Sequence, residues 1–542
     1  MAFQHIDPRV DPALASHLSR RQLLRFGAVA GVGLAASPLL AACGPEAGPK
    51  PVASGSPPAR PTGVLRVAGN AEPVSLSPVI ATGVSDLGVL LNNVYEALFR
   101  YKPGTSELEG VLADRFESSA DAREWKVYLK PNIKFHDGEP LTSSAVRTSF
   151  EFTKSSAAPL GFFLPANATY DDSDPAVLRV TTAAPYPDFA RFLTLLSVMS
   201  PKIVKAGQDA IVRTPTGTGP YKFVSYETAQ RIVLEANTAY RGPGPYLERI
   251  EVPIIPDAAA RVTALRSGSV DLVLRVAPQD STSLRGASSL VVRQESSWAN
   301  ARLEWFTNTA PMDNVKLRQA IAHAIDRPAL VKAILGGVGG KVDDSWVATG
   351  MYGYAPPKTT NYDLNVNLAK SLLAESGLTT PVELTIGWSP DEGAQFGQLA
   401  EAIAGMLKPV GINVTVKSLP LPAKNKIVRA PAGTAREWHG TVGGTRFISG
   451  AASHLIVQNF FRNELQVTDP TLNQLTDRVV VVPDGSERTQ IFADIENRVA
   501  ELALISPLYG EVTLHAHKNT VQGFTPPNDG LLPNFGPVYL SA

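Results

Sequence analysis

A few short stretches of this 542-residue chain hold residues whose types and spacing could do chemistry. His136 and Asp137 are adjacent, as in a proton relay. At the end of a strand, however, neighbouring side chains point apart, and Asp137-Gly138 reads as a turn. "RTPTGTGPYKF" places Gly217 and Gly219 before Pro220 but lacks the GxxxxGK[ST] spacing. The alternating residues after it leave no helix N-terminus for a phosphate. It reads instead as a stiff loop beside a binding crevice, with both glycines as candidate ligand contacts. His515 and His517 share one face of a strand; that spacing alone makes no metal site, and a solvated face is expected. His323, in an Ala-rich helical stretch, reads as structural. "EWHGTVGGTRFISGAASH" offers Trp438, His439 and Arg446, suited to stacking and to holding a carboxylate or other anion. The chain has no G-x-S-x-G, no H-E-x-x-H and no P-loop, so an exported hydrolase is the weaker alternative to a binding protein, and no catalytic residue is assigned.

Cys43 is the single cysteine. It cannot close an intrachain disulfide, form a CxxC pair or supply a multi-thiolate zinc site. Lys+Arg 50 against Asp+Glu 50 leaves no basic excess for phosphates, so nucleic acid is not an expected partner. Arg20 and Arg21 precede an uncharged stretch, residues 26–42, that is short for a membrane span and interrupted by Pro38. The paired arginines resemble a twin-arginine export signal. Leu40-Ala41-Ala42-Cys43 resembles a bacterial lipobox, which makes residues 1–42 a signal peptide and Cys43 the lipidated first mature residue, held at the outer face of the membrane. Residues 44–62 carry six prolines, three glycines and two serines, too little apolar surface to join a core. Residues 43–62 therefore read as a tether, reaching at most ~65 Å when extended.

The elements that must position these residues follow from periodicity. "GVLRVAGN" reads as a strand covered on both faces, and "SDLGVLLNNVYEALFRY" as a helix capped at Ser85 or Asp86. Trp125, Val127 and Leu129 line one face of a strand; Ile133 and Phe135 belong to a second, and Thr142 or Ser143 caps a helix. "YKFVSYETAQRIVLEANTAY" alternates as a hairpin. A helix beginning at Asp313 or Asn314 restarts near Asp326-Arg327-Pro328 and stops at Gly336-Gly337. Val382–Trp388, Ala394–Leu407 and Ile412–Lys417 read as strand, helix and parallel strand. Ligands sit outside the carboxyl ends of such strands, which makes Trp388 a candidate cleft residue. The fold class is α/β.

The motifs "GVLRVA", "VYEALFRYKPGTSELEGVLADRFESS", "WKVYLKPNIKFHDGEPLTSSAV", "PTGTGPYKF", "ALRSGSVDLV", "DNVKLRQAIAHAIDRPALVKAILGG", "YDLNVNLAKSLLAESGL" and "LISPLYGE...VQGF" run in one order over nearly the whole mature chain. In that order the chain resembles the family 5 extracellular solute-binding proteins of ABC importers, which include dipeptide-, oligopeptide- and nickel-binding members. The resemblance implies two lobes hinged about a cleft, a monomer that hands solute to a permease, and no cofactor. It places the first lobe at 63–295 plus 506–542, with a subdomain at about 96–214, and the second at 296–505. Peptide-binding members typically carry an acidic residue in a "W...D..DP" stretch to pair with the α-ammonium. The matching region, 437–454, has neither Asp nor Glu after Trp438. A peptide-like or anionic solute is therefore expected, with a nickel-type chelate held through His439 and Arg446 as the alternative, and no direct metal site.

Overall fold

Leu290–Trp305, the longest strand, switches character along its length, from half-open residues at its start to nine consecutive buried ones at its end. It sits at the middle of the sheet that organises the protein. In the computed structural model, residues 56–541 are described except 74, 80–87, 157–158, 166, 359–361, 432, 435, 447–449, 453–460, 462–463 and 530–532. Arg20, Arg21 and Cys43 lie outside the described residues.

The strands of this sheet, in chain order, are β1 (Val64–Ala68), β2 (Tyr221–Glu227), β3 (Arg231–Ala236), β4 (Arg249–Pro253), β5 (Leu272–Val273), β6 (Leu290–Trp305), β7 (Gly340–Lys341), β8 (Val382–Trp388), β9 (Ile412–Ser418), β10 (Gly440–Arg446) and β11 (Ile505–Lys518). Their spatial order is β9-β8-β10-β6-β11-β5-β1-β4-β3-β2, with β7 added against β11. The cores divide along this order. Leu65, Ile232, Leu234, Ile250 and Val252 pack with Leu90, Val94 and Tyr95 at the β1–β4 side. At the other, Leu303, Trp305, Leu384, Ile386 and Val442 are covered by the helices Val315–Ala324 and Ala394–Leu407 through Leu317, Ile321, Leu399 and Ile403. The opposite face of this second part carries its own core, with Trp346, Phe461, Leu472, Phe492 and Ile495. A separate four-stranded sheet, built on Glu124–Leu129, packs Trp125 and Val127 against Val146 and Phe150 of the helix Ser143–Ser155.

Strands β6 and β11 join the two parts, pairing antiparallel from Leu290↔Lys518 to Glu304↔Ile505. Their ladder is broken between Ser296 and Asn300 and again between Ala301 and Arg302. Such irregularities bend and twist a strand locally, so the ribbon joining the two parts of the sheet departs from regular pairing there.

Several sequence expectations hold. β8, Ala394–Leu407 and β9 form the parallel crossover, with Val382 opposite Ile412. Asn314 and Asp326 cap the helices Val315–Ala324 and Arg327–Leu335, and Thr142 caps Ser143–Ser155. β2 and β3 are the expected hairpin. Others do not. The expected caps Ser85 and Asp86 lie outside the described residues, and the described helix Gly88–Leu91 stops well before Leu98. Asn93, fully buried, ends it by donating to the carbonyls of Val89 and Pro533 and accepting from the Phe535 amide, a tie to the far end of the chain. Ile133 and Phe135 are buried but form no strand; only a Lys134↔Pro140 bridge forms there. His515 and His517 are not on a solvated face. They are 0% and 3% exposed, edge-on to Phe524, because this stretch of β11 runs between β5 and β6.

His136 is a packing residue, its Nε2 3.0 Å from the Gly219 carbonyl. Burial pushes its imidazole down to about 4, more than that bond restores. The unfolded chain binds a proton near pH 6.5 that the folded chain refuses, so this group's contribution is complete above pH 6.5 and is lost as pH falls toward 4. The stability difference between wild type and His136→Gln, from urea titrations at pH 7.5 and pH 4.5, should shrink by about 2 kcal/mol. An unchanged difference would mean that His136 is protonated in the fold.

Candidate functional site

Asn300, Arg302 and Glu304 alternate along β6 with Ala301, Leu303 and Trp305. The second set enters the apolar core; the first makes a buried polar row on the other face. Arg302 donates to Glu304 at 2.5 Å and to Asn300 Oδ1 at 3.3 Å, and Asn300 donates to the Trp346 carbonyl at 2.5 Å. β10 sets Gly443 opposite Arg302. A Cβ there would come within 2.9 Å of Lys424 Nζ and 3.4 Å of Glu392 Oε1, so glycine lets this pair close over the strand. Lys424 and Glu392 themselves meet at 2.5 Å.

The crossover topology explains the convergence. Glu392 lies just past the carboxyl end of β8, Lys424 on the helix Leu421–Val428 just past β9, and Arg446 ends β10. These strands run parallel, and the ends of such strands are where α/β sheets place their ligands. Burial pushes the Glu392 carboxyl up, against the pull of the Lys424 charge. Glu464, which pairs with Arg429 at 3.2 Å, is also raised by burial and then by the neighbouring Glu304 charge. The face thus carries carboxylates and cations together in a setting poor in water.

Two residues before Asn300, Trp298 reaches the other part of the molecule. Its ring meets Tyr101 edge-on at 4.7 Å, and its amide donates to the Asn528 carbonyl. Asn528 also holds the turn at Lys102–Thr105 through Lys102, Gly104 and Thr105. Gly450, at φ 62°, closes against this stack, where a Cβ would lie 2.7 Å from both rings.

The sequence candidates are distributed unevenly over this geometry. Arg446 is paired in register with Ala299, next to Trp298, so its backbone is at the junction; nothing is described of its side chain. Trp388, half-buried at the end of β8, packs over Gly397. Trp438 is a correction: it is 1% exposed, clustered with Phe306 and Val428, and its indole lies where Gly387 would carry a Cβ. His439 is a second. Its Nδ1 accepts from the Thr385 amide, its other nitrogen bonds the Ala310 backbone, and burial lowers its pKa. His439 precedes β10 and Arg446 ends it, so about 20 Å of extended chain separates them and they do not grip one chelate. Gly217 and Gly219 pack tightly against the Val94 and Asn93 carbonyls, where any side chain would clash, so they are backbone-contact positions in the first core. The residues that sequence reasoning missed are Arg302, Glu304, Glu392 and Lys424. Their signal was the polar alternation in "NARLEW" and the charged positions just past two parallel strands.

A cavity of ≈ 750 Å³ bordered by Arg100, Tyr128, Lys130 and Arg241 shares no residue with this face. Its arginines, Arg100, Arg115 and Arg241, are already engaged with Glu109, Glu117 and Glu96.

The model for "Bacterial extracellular solute-binding proteins, family 5 Middle" matches residues 107–439. The Escherichia coli (strain K12) protein named "Probable D,D-dipeptide-binding periplasmic protein DdpA" is 30% identical over 375 residues, 66% of this chain and 71% of its own length. The fold is similar to that of the ABC transporter substrate-binding protein CtaP of Listeria monocytogenes, with TM-score 0.80 and 22% identity over 89% of this chain and 100% of that one. It is also similar to NikA from Brucella suis, solved in complex with Fe(III)-EDTA, with TM-score 0.78 and 20% identity over 88% and 100%.

Proposed function

The chain belongs to the family 5 bacterial extracellular solute-binding proteins, and on that premise we propose that it captures a peptide-like solute bearing a free carboxylate between its two lobes and delivers it to an ABC permease. The family's members are two-lobe solute-binding proteins rather than enzymes, and no helix among the described residues is long and apolar enough to cross a membrane. The observation that carries the solute class is the buried Lys424–Glu392 pair lying over the Arg302–Glu304 row, just past the carboxyl ends of β8 and β9, with the end of β10 beside the Trp298–Tyr101 junction. Arg446 is the group we assign to the carboxylate, and Trp388 to the apolar wall. Glu392 and Glu304 are each already paired with a cation, Lys424 and Arg302, so the solute's carboxylate rather than its ammonium is the group this reading recognises. The relative named for D,D-dipeptides supports the same class.

The lobes run over 63–295 with 506–542, and over 296–505, in this reading. The ladder irregularities at Ser296–Arg302 support a crossing near residue 295. The likeness to NikA with Fe(III)-EDTA keeps a metal chelate as the second reading, without the His439–Arg446 pair as its holder. We further assign residues 1–42 to a twin-arginine type export signal, Cys43 to a lipid anchor and residues 44–62 to the tether, with the protein acting as a monomer at the outer face of the membrane.

Native mass spectrometry of the purified protein should release a peptide-like ligand. In a thermal-shift panel, free-carboxylate dipeptides at a hundred times their Kd should add about 2.7 kcal/mol of stability. C-terminally amidated dipeptides should add far less. Equal effects of both would remove the carboxylate from the reading, and a shift with Fe(III)-EDTA alone would replace it by the chelate.

A further inference from the structure

Arg488 has a fully buried side chain and its partners come from both parts of the chain. It donates to Asp484 at 2.8 Å and to the Val479 carbonyl at 2.9 Å, close by in sequence, and to Asp188 at 2.7 Å, from 300 residues away. Arg191 makes the reciprocal crossing. It pairs with Asp484 at 2.9 Å and lies 3.4 Å above the ring of Tyr352, whose hydroxyl donates to Asp484 at 2.7 Å. Asp188 and Arg191 are fixed by the short helix Phe189–Phe192, whose phenylalanines are buried in the core of the four-stranded sheet. Arg488 belongs to the helix Ser486–Glu501, fixed through Phe492 and Ile495 in the core around Trp346.

We propose that Asp188, Arg191, Tyr352, Asp484 and Arg488 form an interlobe clasp, made when the lobes close and broken when they open. The inference rests on the two-lobe fold and not on the solute. Two arginines and two aspartates balance in charge; Arg191, Arg488 and Asp188 are buried and Asp484 is half-exposed, and burying the first three costs hydration that only this geometry returns. A set that is satisfied in one arrangement and hydrated in the other favours two discrete states over a continuum, as hinged closure requires.

Hydrogen exchange followed by mass spectrometry on the purified protein tests this without any ligand. Asp484→Asn and Arg191→Gln should each speed exchange at least tenfold in the segments 296–300 and 348–354. The double variant should be no faster than the faster single one, because both act through one unit. Amides of the helices Ser143–Ser155 and Val315–Ala324 should keep wild-type rates. Wild-type exchange at 296–300 in both variants would overturn the clasp. So would a rise shared equally by the two helices, which marks simple loss of packing, or additive effects in the double variant.

Discussion

Trp438→Ala should lower the unfolding free energy by about 3–5 kcal/mol and leave the affinity of the folded fraction for its solute unchanged. The indole is one of the largest fully buried side chains, enclosed by Phe306 and Val428 and resting on Gly387. That glycine is itself fixed in place, since β8 pairs with both β9 and β10 at this level. Removing the ring therefore leaves a void that these strands cannot collapse into. Urea titration followed by circular dichroism, alongside isothermal titration with whichever solute the protein carries, separates the outcomes. Unchanged stability with weakened binding would return Trp438 to the cleft.

The second large effect concerns location. Cys43→Ala should abolish the membrane-bound fraction, leaving the protein released or retained as precursor. Each buried methylene of an acyl chain contributes about 0.8 kcal/mol, and a stable hold takes two chains. A diacylglyceryl group on the single thiol meets that requirement, and nothing in the proline-rich residues after it would replace it. Membrane fractionation and the mass of the N-terminal peptide read the result. Wild-type retention of the alanine variant would exclude the lipobox reading.

Local order was legible in the sequence wherever one element pairs with its neighbour. The β8–helix–β9 crossover, the β2–β3 hairpin and the caps at Thr142, Asn314 and Asp326 follow from periodicity and capping chemistry confined to a few residues. What could not be read depends on distant partners. Asn93 cuts a helix short because Pro533 and Phe535 reach it, and His515 and His517 are buried because β5 and β6 flank β11. The same holds for the site. "EWHGTVGGTRFISGAASH" contains β10, and only its being an extended strand sets His439, just before it, a full strand length from Arg446 at its end. Nor does a string of letters say that Glu392 and Lys424, 32 residues apart, close over Gly443 from outside.

The pairing of β6 with β11 also bears on how the chain is made. Leu290 finds its partner in Lys518, and Asn93 its partners in Pro533 and Phe535, so neither part of the molecule is complete until residues 505–535 have been made. Contacts of such long sequence separation form slowly, after their loop-closure entropy has been met. The first residues of the chain are therefore made hundreds of residues ahead of the strand that completes this sheet, and β6 waits for β11 before its ladder can form.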